Sequence, residues 1–232
     1  MGLSIEKISD IVPYTPEWFE DKKWKMSSSE IYQIMGEDKI TKAGIAWIEG
    51  KVYEKLTGNS AKKEVPLTED IVFGIQNEPI SIKDWCVSNK KVPLFETLYV
   101  EVDDIFRTTP DNAVQEDDFP VFRLDEKEMR IIPLETKSYK GAKHMAHVRC
   151  KTPDDIRKIN LQLHWQIISQ VYWTDSYKGM ALFFNPEFKE GSPYRYGEVV
   201  YRRLGMEKDF SMFKQRIQQA REIYYKALNY GK

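Results

Sequence analysis

The chain has little cysteine: Cys86 and Cys150 are its only two among 232 residues. Two thiols far apart in the sequence, without a Cys-x-x-Cys pair, cannot form a structural zinc site or an iron–sulfur cluster from cysteine alone. We therefore expect both cysteines to be free thiols in the core of a protein from a reducing compartment.

Long hydrophobic runs and an excess of one charge are also missing. No apolar stretch approaches the roughly 20 residues needed to span a bilayer, and residues 1–7 lack the apolar segment of a signal peptide. We expect a cytoplasmic protein that does not enter the membrane. Because the net charge is -1, any contact with nucleic acid must depend on a local basic patch and metal ions.

What is present indicates a globular protein with a substantial core. Hydrophobic residues make up 41% of the chain and aromatic residues 13%, which excludes a disordered chain. The succession of helices, strands, a long helix, strands and a last helix predicts one α/β domain over residues 1–232, with a central mixed sheet flanked by helices.

Capping residues, glycines and apolar periodicity place the individual elements. We expect a helix that begins at Thr15-Pro16-Glu17, and further helices at 27–36, 41–57, about 69–90 with a kink or new start at Pro79, 153–175 and 206–229. We expect strands at 131–138, 179–185 and 196–204, two strands within 94–109, a hairpin around 119–124, and an irregular basic loop at 139–152.

The chemistry-bearing pattern is a split set of charged residues, Pro110-Asp111 followed by Glu135-Thr136-Lys137. The second part ends an apolar run that is typical of a buried strand. Residues two apart on a strand point to the same face, so Glu135 and Lys137 are predicted to project together. Burying two such charges is costly unless they are paired or used, which favours a functional interpretation over a surface ion pair.

This pattern suits a metal-dependent hydrolase of phosphodiesters. Asp111 and Glu135 are hard oxygen ligands, and the backbone carbonyl of Thr136 is a possible third. Lys137 could orient or deprotonate an attacking water and stabilise the developing charge, with a lowered pKa beside a bound cation. The 24-residue separation between Asp111 and Glu135 leaves open a different first ligand, for which the alternatives are Asp103, Asp104 and Asp125.

Several separated segments, taken in order, resemble the lambda-exonuclease/YqaJ-type viral recombinase family of the PD-(D/E)xK nucleases. The matching segments are Glu17-Trp18 through Lys22, Lys25-Met26-Ser27-Ser28-Ser29, Phe73-Gly74 to Glu78-Pro79, Thr109-Pro110-Asp111, Leu134-Glu135-Thr136-Lys137, and Leu163-His164-Trp165-Gln166 followed by Trp173-Thr174. They extend over most of the chain, and the resemblance implies a restriction-endonuclease-like core.

The resemblance also implies a role for each matching residue. Asp111 and Glu135 would bind the metal with the Thr136 carbonyl, and Lys137 would be the catalytic lysine. Glu78 would lie near a second metal or its waters, and Gln166 would position the water or the active-site residues. Lys22 and Ser29 would hold a DNA phosphate. Lys22 stands where the family usually has arginine, so a bidentate grip on that phosphate is lost.

The function that this resemblance implies is a Mg²⁺-dependent exonuclease, with Mn²⁺ as a substitute, acting on ends of double-stranded DNA. The direction would be 5′ to 3′, the product a single strand for an annealing protein, and the assembly a homotrimer. Two alternatives remain open from the residues. One is an endonuclease of the same superfamily, and the other is a DNA-end-binding protein with a degenerate site.

Other polar residues have simpler interpretations. Gln166 and Gln170, four apart on a helix, could be a polar stripe. His144 and His147 are expected in a solvated loop, since no carboxylate partner is evident. Lys140, Lys143 and Arg149 are either solvated or in contact with a DNA backbone.

Overall fold

The computed structural model describes residues 3–4, 9, 11, 15–59, 68–94, 98–116 and 128–230. The helices are α1 (Pro16–Lys22), a 3-10 helix (Ser28–Ile34), α2 (Lys42–Thr57), α3 (Glu69–Ser88), α4 (Gly141–Val148), α5 (Pro153–Ile159), α6 (Leu161–Trp173) and α7 (Glu207–Leu228). The strands are β1 (Leu3–Ser4), β2 (Met26–Ser27), β3 (Val100–Glu101), β4 (Phe106–Thr108), β5 (Asn112–Gln115), β6 (Glu128–Met129), β7 (Ile131–Lys137), β8 (Lys178–Phe184) and β9 (Tyr196–Arg202).

Threonine side chains begin four of these helices. Thr15, Thr41, Thr68 and Thr152 each accept a hydrogen bond from a backbone N–H in the first turn of α1, α2, α3 and α5. Gly58 ends α2 with a φ of 71°, a left-handed conformation that favours glycine. Local sequence therefore sets these five helix boundaries.

The largest sheet of the described residues has the strand order β5–β7–β8–β9. The β7–β8 pair is parallel and the other two pairs are antiparallel, so the sheet is mixed, as the sequence predicts. A smaller sheet has the order β2–β4–β3, with β2 parallel to β4 and β3 antiparallel to it.

Helices cover both faces of the larger sheet. Leu134 and Leu182 belong to one buried cluster with Ile82 and Trp85 of α3. Alternate residues on the strands face the other way: Phe183 packs in a second cluster with apolar residues of α6 and α7, including Ile167, Trp165 and Phe213. Because side chains alternate along a strand, the residues of β7 that follow Leu134 also alternate between the two helical layers.

Both cysteines are free and buried, which confirms the interpretation as core thiols. Within the described ranges, none of the helices combines the length and hydropathy required to cross a membrane.

Two of the expected elements are different in the structure. Residues 28–34 form a 3-10 helix instead of an α-helix. Residues 141–148, expected as an irregular loop, form the helix α4. Its buried face consists of His144, His147 and Val148, spaced i, i+3 and i+4. Two of these positions hold histidine, whereas apolar side chains at this spacing would have predicted a helix.

Two other expectations concern breaks in helices. The helix expected over 153–175 is divided at Asn160, whose side chain accepts a hydrogen bond from Leu163 N and so begins α6. In contrast, α3 runs through Pro79 without a new start. Pro79 and Ile75 are exposed, where water can replace the hydrogen bond that proline removes. The hairpin expected around 119–124 lies outside the described residues, but 112–115 before it form β5.

Candidate active site

The site begins at the carboxyl end of β7. Glu135 and Lys137 lie two residues apart on this strand, and the Lys137 ammonium donates a hydrogen bond to Oε1 of Glu135. The Glu135 side chain is 1% exposed, whereas that of Lys137 is 29% exposed. The sequence prediction that the two charges project together is therefore confirmed, with the carboxylate buried and the ammonium reaching towards the surface.

Helix α6 supplies two amides to the same carboxylate. Gln166 Nε2 donates to Glu135 Oε1 across 2.6 Å, and Gln170 Nε2 donates to Glu135 Oε2 across 2.5 Å. The two glutamines are one helical turn apart, so both face the strand. Gln166 was predicted as a site residue, whereas Gln170 was assigned only to a polar stripe. The sequence signal for Gln170 was its position four residues after Gln166, on the buried face of an apolar helix.

Asp111 lies next to this pair although it is far away in the sequence. Asn112 is paired with Leu134 across the antiparallel β5–β7 ladder, which brings Asp111 opposite the end of β7. The Thr136 N–H donates to Asp111 Oδ2 across 2.6 Å, and the Lys137 ammonium is 4.0 Å from the same oxygen. Asp111 and the end of β7 are therefore neighbours in the structure despite their long separation in the sequence.

The alternative carboxylates have other contacts. Asp103 accepts hydrogen bonds from the Ile105 and Phe106 N–H groups and pairs with Arg221 at 2.5 Å. Asp104 accepts a hydrogen bond from the Tyr225 hydroxyl. Asp125 lies outside the described residues. The structure therefore favours Asp111 as the partner of Glu135.

A third carboxylate, Glu78, comes from α3. Burial raises the pKa of Glu78 to about 7, with Lys137 lowering it and Glu135 raising it further. Burial also raises the pKa of Asp111 well above its usual value, reinforced by Glu135 and Glu78 and opposed by Lys137 and the Thr136 N–H. Glu78 and Asp111 thus lie close together in a setting that disfavours their negative charge.

The same acidic groups also shift the pKa of Lys137, and they favour its charged form. Burial alone would lower the pKa of Lys137, but the Glu135 and Asp111 carboxylates outweigh burial and raise it above its usual value. The fall in pKa that the sequence led us to expect beside a bound cation concerns the metal-loaded site and stays a prediction. Lys137 is therefore a positively charged donor among the acidic groups.

The donor set fits a hard divalent cation. Carboxylate oxygens have two lone pairs each, so Asp111 and Glu135 retain acceptor capacity beyond the hydrogen bonds described above. A cation would also relieve the unfavourable burial of negative charge. Mg²⁺ commonly takes only one or two carboxylates and completes its shell with waters and phosphate oxygens. In the described part of the chain, no three or more His, Cys, Asp or Glu side chains are grouped closely enough to hold a metal, so Glu78 does not join a three-acid cluster.

A cleft of about 180 Å³ extends from this site towards α1 and β2. The residues that line it are Trp18, Lys22, Ser27, Ser28, Ser29, Glu78, Arg107, Thr109, Asp111 and Gln166. Lys22 and Ser29, predicted to bind phosphate, therefore share one cleft with Asp111. Arg107 also lines this cleft, and, like Gln170, it was not among the residues predicted from the sequence to form the site.

A second cleft of about 470 Å³ lies on the other side of Lys137, lined in part by Tyr139, Lys143 and His147. The expectation of solvated histidines is wrong, since His144 and His147 are 0% and 4% exposed. His144 Nε2 contacts the Tyr194 carbonyl at 2.6 Å, and His147 Nδ1 contacts the Lys143 carbonyl at 2.7 Å. The His144 contact joins α4 to the segment that contains Tyr194, whereas the His147 contact lies within α4 itself.

Comparisons with known proteins identify the family of the chain and its fold. The model of the family described as the YqaJ-like viral recombinase domain matches residues 17–177. No curated protein matches the chain. Among solved structures, the chain is similar to an alkaline exonuclease from Laribacter hongkongensis, with 14% identity, a TM-score of 0.62, and 91% of this chain and 95% of that chain covered. The same enzyme in complex with dAMP gives 15% identity and a TM-score of 0.63 over the same shares.

A phage-related exonuclease from Haemophilus somnus 129PT is similar to the same degree. It is 16% identical, with a TM-score of 0.60, and the match covers 86% of this chain and 93% of that chain. At such low identity, these neighbours establish the shared α/β fold, as the sequence predicts.

Proposed function

This chain belongs to the YqaJ-like viral recombinase family, and on that premise we propose that it is a metal-dependent exonuclease that shortens linear double-stranded DNA from its ends. The observation that carries the proposal is the buried Glu135 carboxylate. It accepts hydrogen bonds from Gln166, Gln170 and Lys137 and lies beside Asp111. A charged group buried to this extent is costly to maintain unless it is paired or used.

In this proposal Asp111 and Glu135 hold Mg²⁺ or Mn²⁺, with the Thr136 carbonyl as a further ligand and Glu78 close to the metal or its waters. The metal, when bound, activates water and neutralises charge on the phosphate. Gln166 and Gln170 keep the Glu135 carboxylate in one orientation.

Lys137 acts on the water and the phosphate. Its ammonium lies between the two carboxylates and is partly exposed, so it can donate a hydrogen bond to a water at the edge of the sheet. The same charge stabilises the additional negative charge that develops on the phosphate during attack. Both tasks require a positively charged side chain at this position, and Lys137 supplies it beside the two acids.

Lys22 and Ser29 are proposed to contact a phosphate of the DNA end that enters the adjoining cleft. The direction of digestion is proposed to be 5′ to 3′, and the single strand that remains is the substrate of an annealing protein. A homotrimer that encloses the duplex is the assembly proposed from the family.

The test is digestion of linear duplex labelled at either end, with Mg²⁺ or Mn²⁺, beside a covalently closed circle. We expect shortening of the linear duplex from one strand end and an intact circle. Lys137→Ala should reduce the rate by at least about a hundredfold. Lys226→Ala, a lysine exposed on α7, is the matched control and should leave the rate unchanged.

Other results of these digestions would indicate a different function or a different role of Lys137. Cleavage of the closed circle would replace the exonuclease with an endonuclease. An intact linear duplex with either metal, together with Mn²⁺ binding that is equally weak in wild type and Asp111→Ala by calorimetry, would favour a DNA-end-binding protein with a degenerate site. Undiminished digestion by Lys137→Ala would remove Lys137 from the mechanism.

A further inference from the structure

Tyr139 lies just after β7 and lines the cleft of about 470 Å³ beside Lys137. The Tyr139 hydroxyl accepts a hydrogen bond from Asn160 Nδ2 across 3.3 Å. The centroid of its ring lies 4.5 Å from that of the His147 ring, and the Lys143 ammonium lies 4.0 Å from the same tyrosine centroid. These contacts fix the position of the tyrosine at the wall of the cleft.

The orientation of the Asn160 amide follows from the helix that it begins. Asn160 Oδ1 accepts a hydrogen bond from the Leu163 N–H at the start of α6, and this contact identifies the oxygen end of the amide. The Nδ2 end carries two hydrogens and can only donate. One hydrogen is directed to the Tyr139 hydroxyl, and the other to His147 Nε2 across 3.2 Å.

The protonation of His147 fits this orientation. Because Nε2 accepts from Asn160, the proton of the neutral ring lies on Nδ1, and Nδ1 donates to the Lys143 carbonyl at 2.7 Å. Burial lowers the pKa of His147, which favours the neutral ring. The hydrogen bonds from Leu163 to His147 thus form one consistent network, in which the Tyr139 oxygen is an acceptor.

The proton of the Tyr139 hydroxyl is consequently directed away from Asn160. Within the described part of the chain, no acceptor takes a hydrogen bond from this hydroxyl. Burial raises the pKa of Tyr139, opposed by Lys137 and by the hydrogen bond from Asn160, so the hydroxyl keeps its proton at neutral pH. It can therefore donate to a ligand in the cleft that Tyr139 lines.

The charged groups of this cleft favour an anion as that ligand. Lys137 and Lys143 both line it, and among the described residues of its wall there is no aspartate or glutamate. Lys137 is paired with Glu135, whereas Lys143 is exposed and lies against the Tyr139 ring. An anionic phosphate oxygen would accept hydrogen bonds from the hydroxyl and from this ammonium.

The cleft is continuous with the candidate active site. Gln166 lines both clefts and donates to Glu135 Oε1, so the two clefts meet beside the acids. Ile159 and Leu163 add apolar surface to the larger cleft, which suits the sugar or base of a nucleotide. A DNA strand that passes the acids therefore has room for a further nucleotide on this side.

We propose that Tyr139 and Lys143 bind the phosphodiester next to the scissile one, on the side of the strand away from α1 and β4. The proposal rests on the proposed function and adds a positioning residue to it, since the Tyr139 hydroxyl holds the strand and takes no part in bond cleavage. A hydroxyl that donates to a charged oxygen makes a strong hydrogen bond. This contact keeps the scissile phosphate beside Glu135 and Lys137, where cleavage depends on exact placement.

The experiment combines one variant with one chemical change in the substrate. A methylphosphonate, in which a methyl group replaces the charged phosphate oxygen, is placed at the linkage after the one that is cut first. An end label reports the first cut, and its position on the unmodified duplex identifies that linkage. The rate constant kcat/KM is measured for wild type and Tyr139→Phe on both duplexes.

Wild type should cut the modified duplex at least about tenfold more slowly than the unmodified one, the size expected for hydrogen bonds to a charged group. Tyr139→Phe keeps the ring and its contact with His147. It should cut the unmodified duplex about tenfold more slowly and discriminate between the duplexes by about threefold or less, because the variant and the methyl group remove the same contact.

Tyr177→Phe is the matched control, since it removes the hydroxyl of a tyrosine that is 44% exposed and does not line the cleft. Both of its rates should equal those of wild type. Lys143→Met changes an exposed side chain and should also reduce the discrimination, so it decides the question if Tyr139→Phe does not fold.

A purely structural role of the hydroxyl would slow both duplexes equally and leave the wild-type ratio, which would overturn the proposal. Equal rates of wild type on the two duplexes would overturn it as well. If neither duplex is digested, the exonuclease is rejected, and fluorescence anisotropy with Ca²⁺ tests the phosphate site separately. Weaker binding of the modified duplex by wild type, but not by Tyr139→Phe, would retain the site, and any other pattern of binding would reject it.

Discussion

Gln170 of α6 donates a hydrogen bond to Oε2 of Glu135 on β7, across 2.5 Å in an interior where both side chains are at most 1% exposed. Gln166 occupies Oε1 in the same way. A carboxylate flanked by two amides from one helix cannot rotate freely. The orientation of the central acid of the candidate site therefore depends on a residue that does not line the cleft.

The first prediction follows from that contact. Gln170→Ala should reduce the free energy of unfolding by about 1–3 kcal/mol, because one oxygen of a buried carboxylate loses its donor. It should also weaken Mn²⁺ binding, measured by calorimetry, because Glu135 is no longer held in one orientation. Gln218→Ala, a glutamine exposed on α7 that contacts Glu222, should change neither quantity. Wild-type Mn²⁺ affinity in a folded Gln170→Ala protein would contradict the positioning role.

The second prediction concerns the buried ion pair of α2. Lys51 Nζ lies 2.9 Å from Glu54 Oε2 and 3.0 Å from the Lys23 carbonyl, which follows α1. Burial lowers the pKa of Lys51, opposed by Glu54. Glu54→Ala should reduce the free energy of unfolding by about 3–5 kcal/mol, because it leaves a buried ammonium without its counter-ion.

A double variant tests that explanation. Lys51→Met/Glu54→Leu removes both charges and should recover most of the stability in denaturant unfolding, since an apolar pair avoids the cost of burying charge. If the double variant is as unstable as Glu54→Ala, lost packing and not the unpaired charge is the cause.

The third prediction is a pH dependence from His164. Burial lowers the pKa of His164, with Asp209 opposing the effect, and the ring is 0% exposed. Below the ordinary histidine pKa of about 6.5, the unfolded chain therefore binds more protons than the folded protein. The contribution of His164 to stability is present above that pH and is lost as the pH falls below it.

The measurement compares urea unfolding of wild type and His164→Phe between about pH 5 and pH 8. The stability of wild type relative to the variant should fall as the pH decreases below about 6.5. Subtracting the two curves removes the contributions of Glu78 and Asp111, whose raised pKa values act in the opposite direction. A difference that does not vary with pH would mean that His164 titrates normally in the folded state.

The fourth prediction concerns the two thiols. Cys86 and Cys150 are 2% and 5% exposed, and burial raises the pKa of both. The native protein should therefore react with a thiol reagent such as DTNB only at the rate of unfolding, because the thiolate is the reactive form. Both thiols should react at once in guanidinium chloride. Rapid reaction of one thiol in buffer would indicate local opening near that residue.

Much of the site could be predicted because a strand has a fixed geometry. The alternation of side chains along β7 predicts that Glu135 and Lys137 share one face, and their hydrogen bond confirms it. Local capping chemistry likewise predicted the starts of α1 and α5. The failures have a common cause. Histidines on the buried face of α4 looked polar in sequence, but both are buried in the structure, and His144 contacts the Tyr194 carbonyl, which is distant in the chain.

The amino-acid sequence by itself determined the α/β class, the order of the main elements and the pairing of an acid with a lysine at the end of β7. These follow from local rules that act over a few residues. Tertiary structure alone decided that Asp111 lies beside Lys137, that Gln170 holds Glu135, and that two buried donors of Arg107 find no acceptor among the described residues. Such contacts join residues that are distant in the chain, and their existence depends on strand register and on which helix covers which face of the sheet.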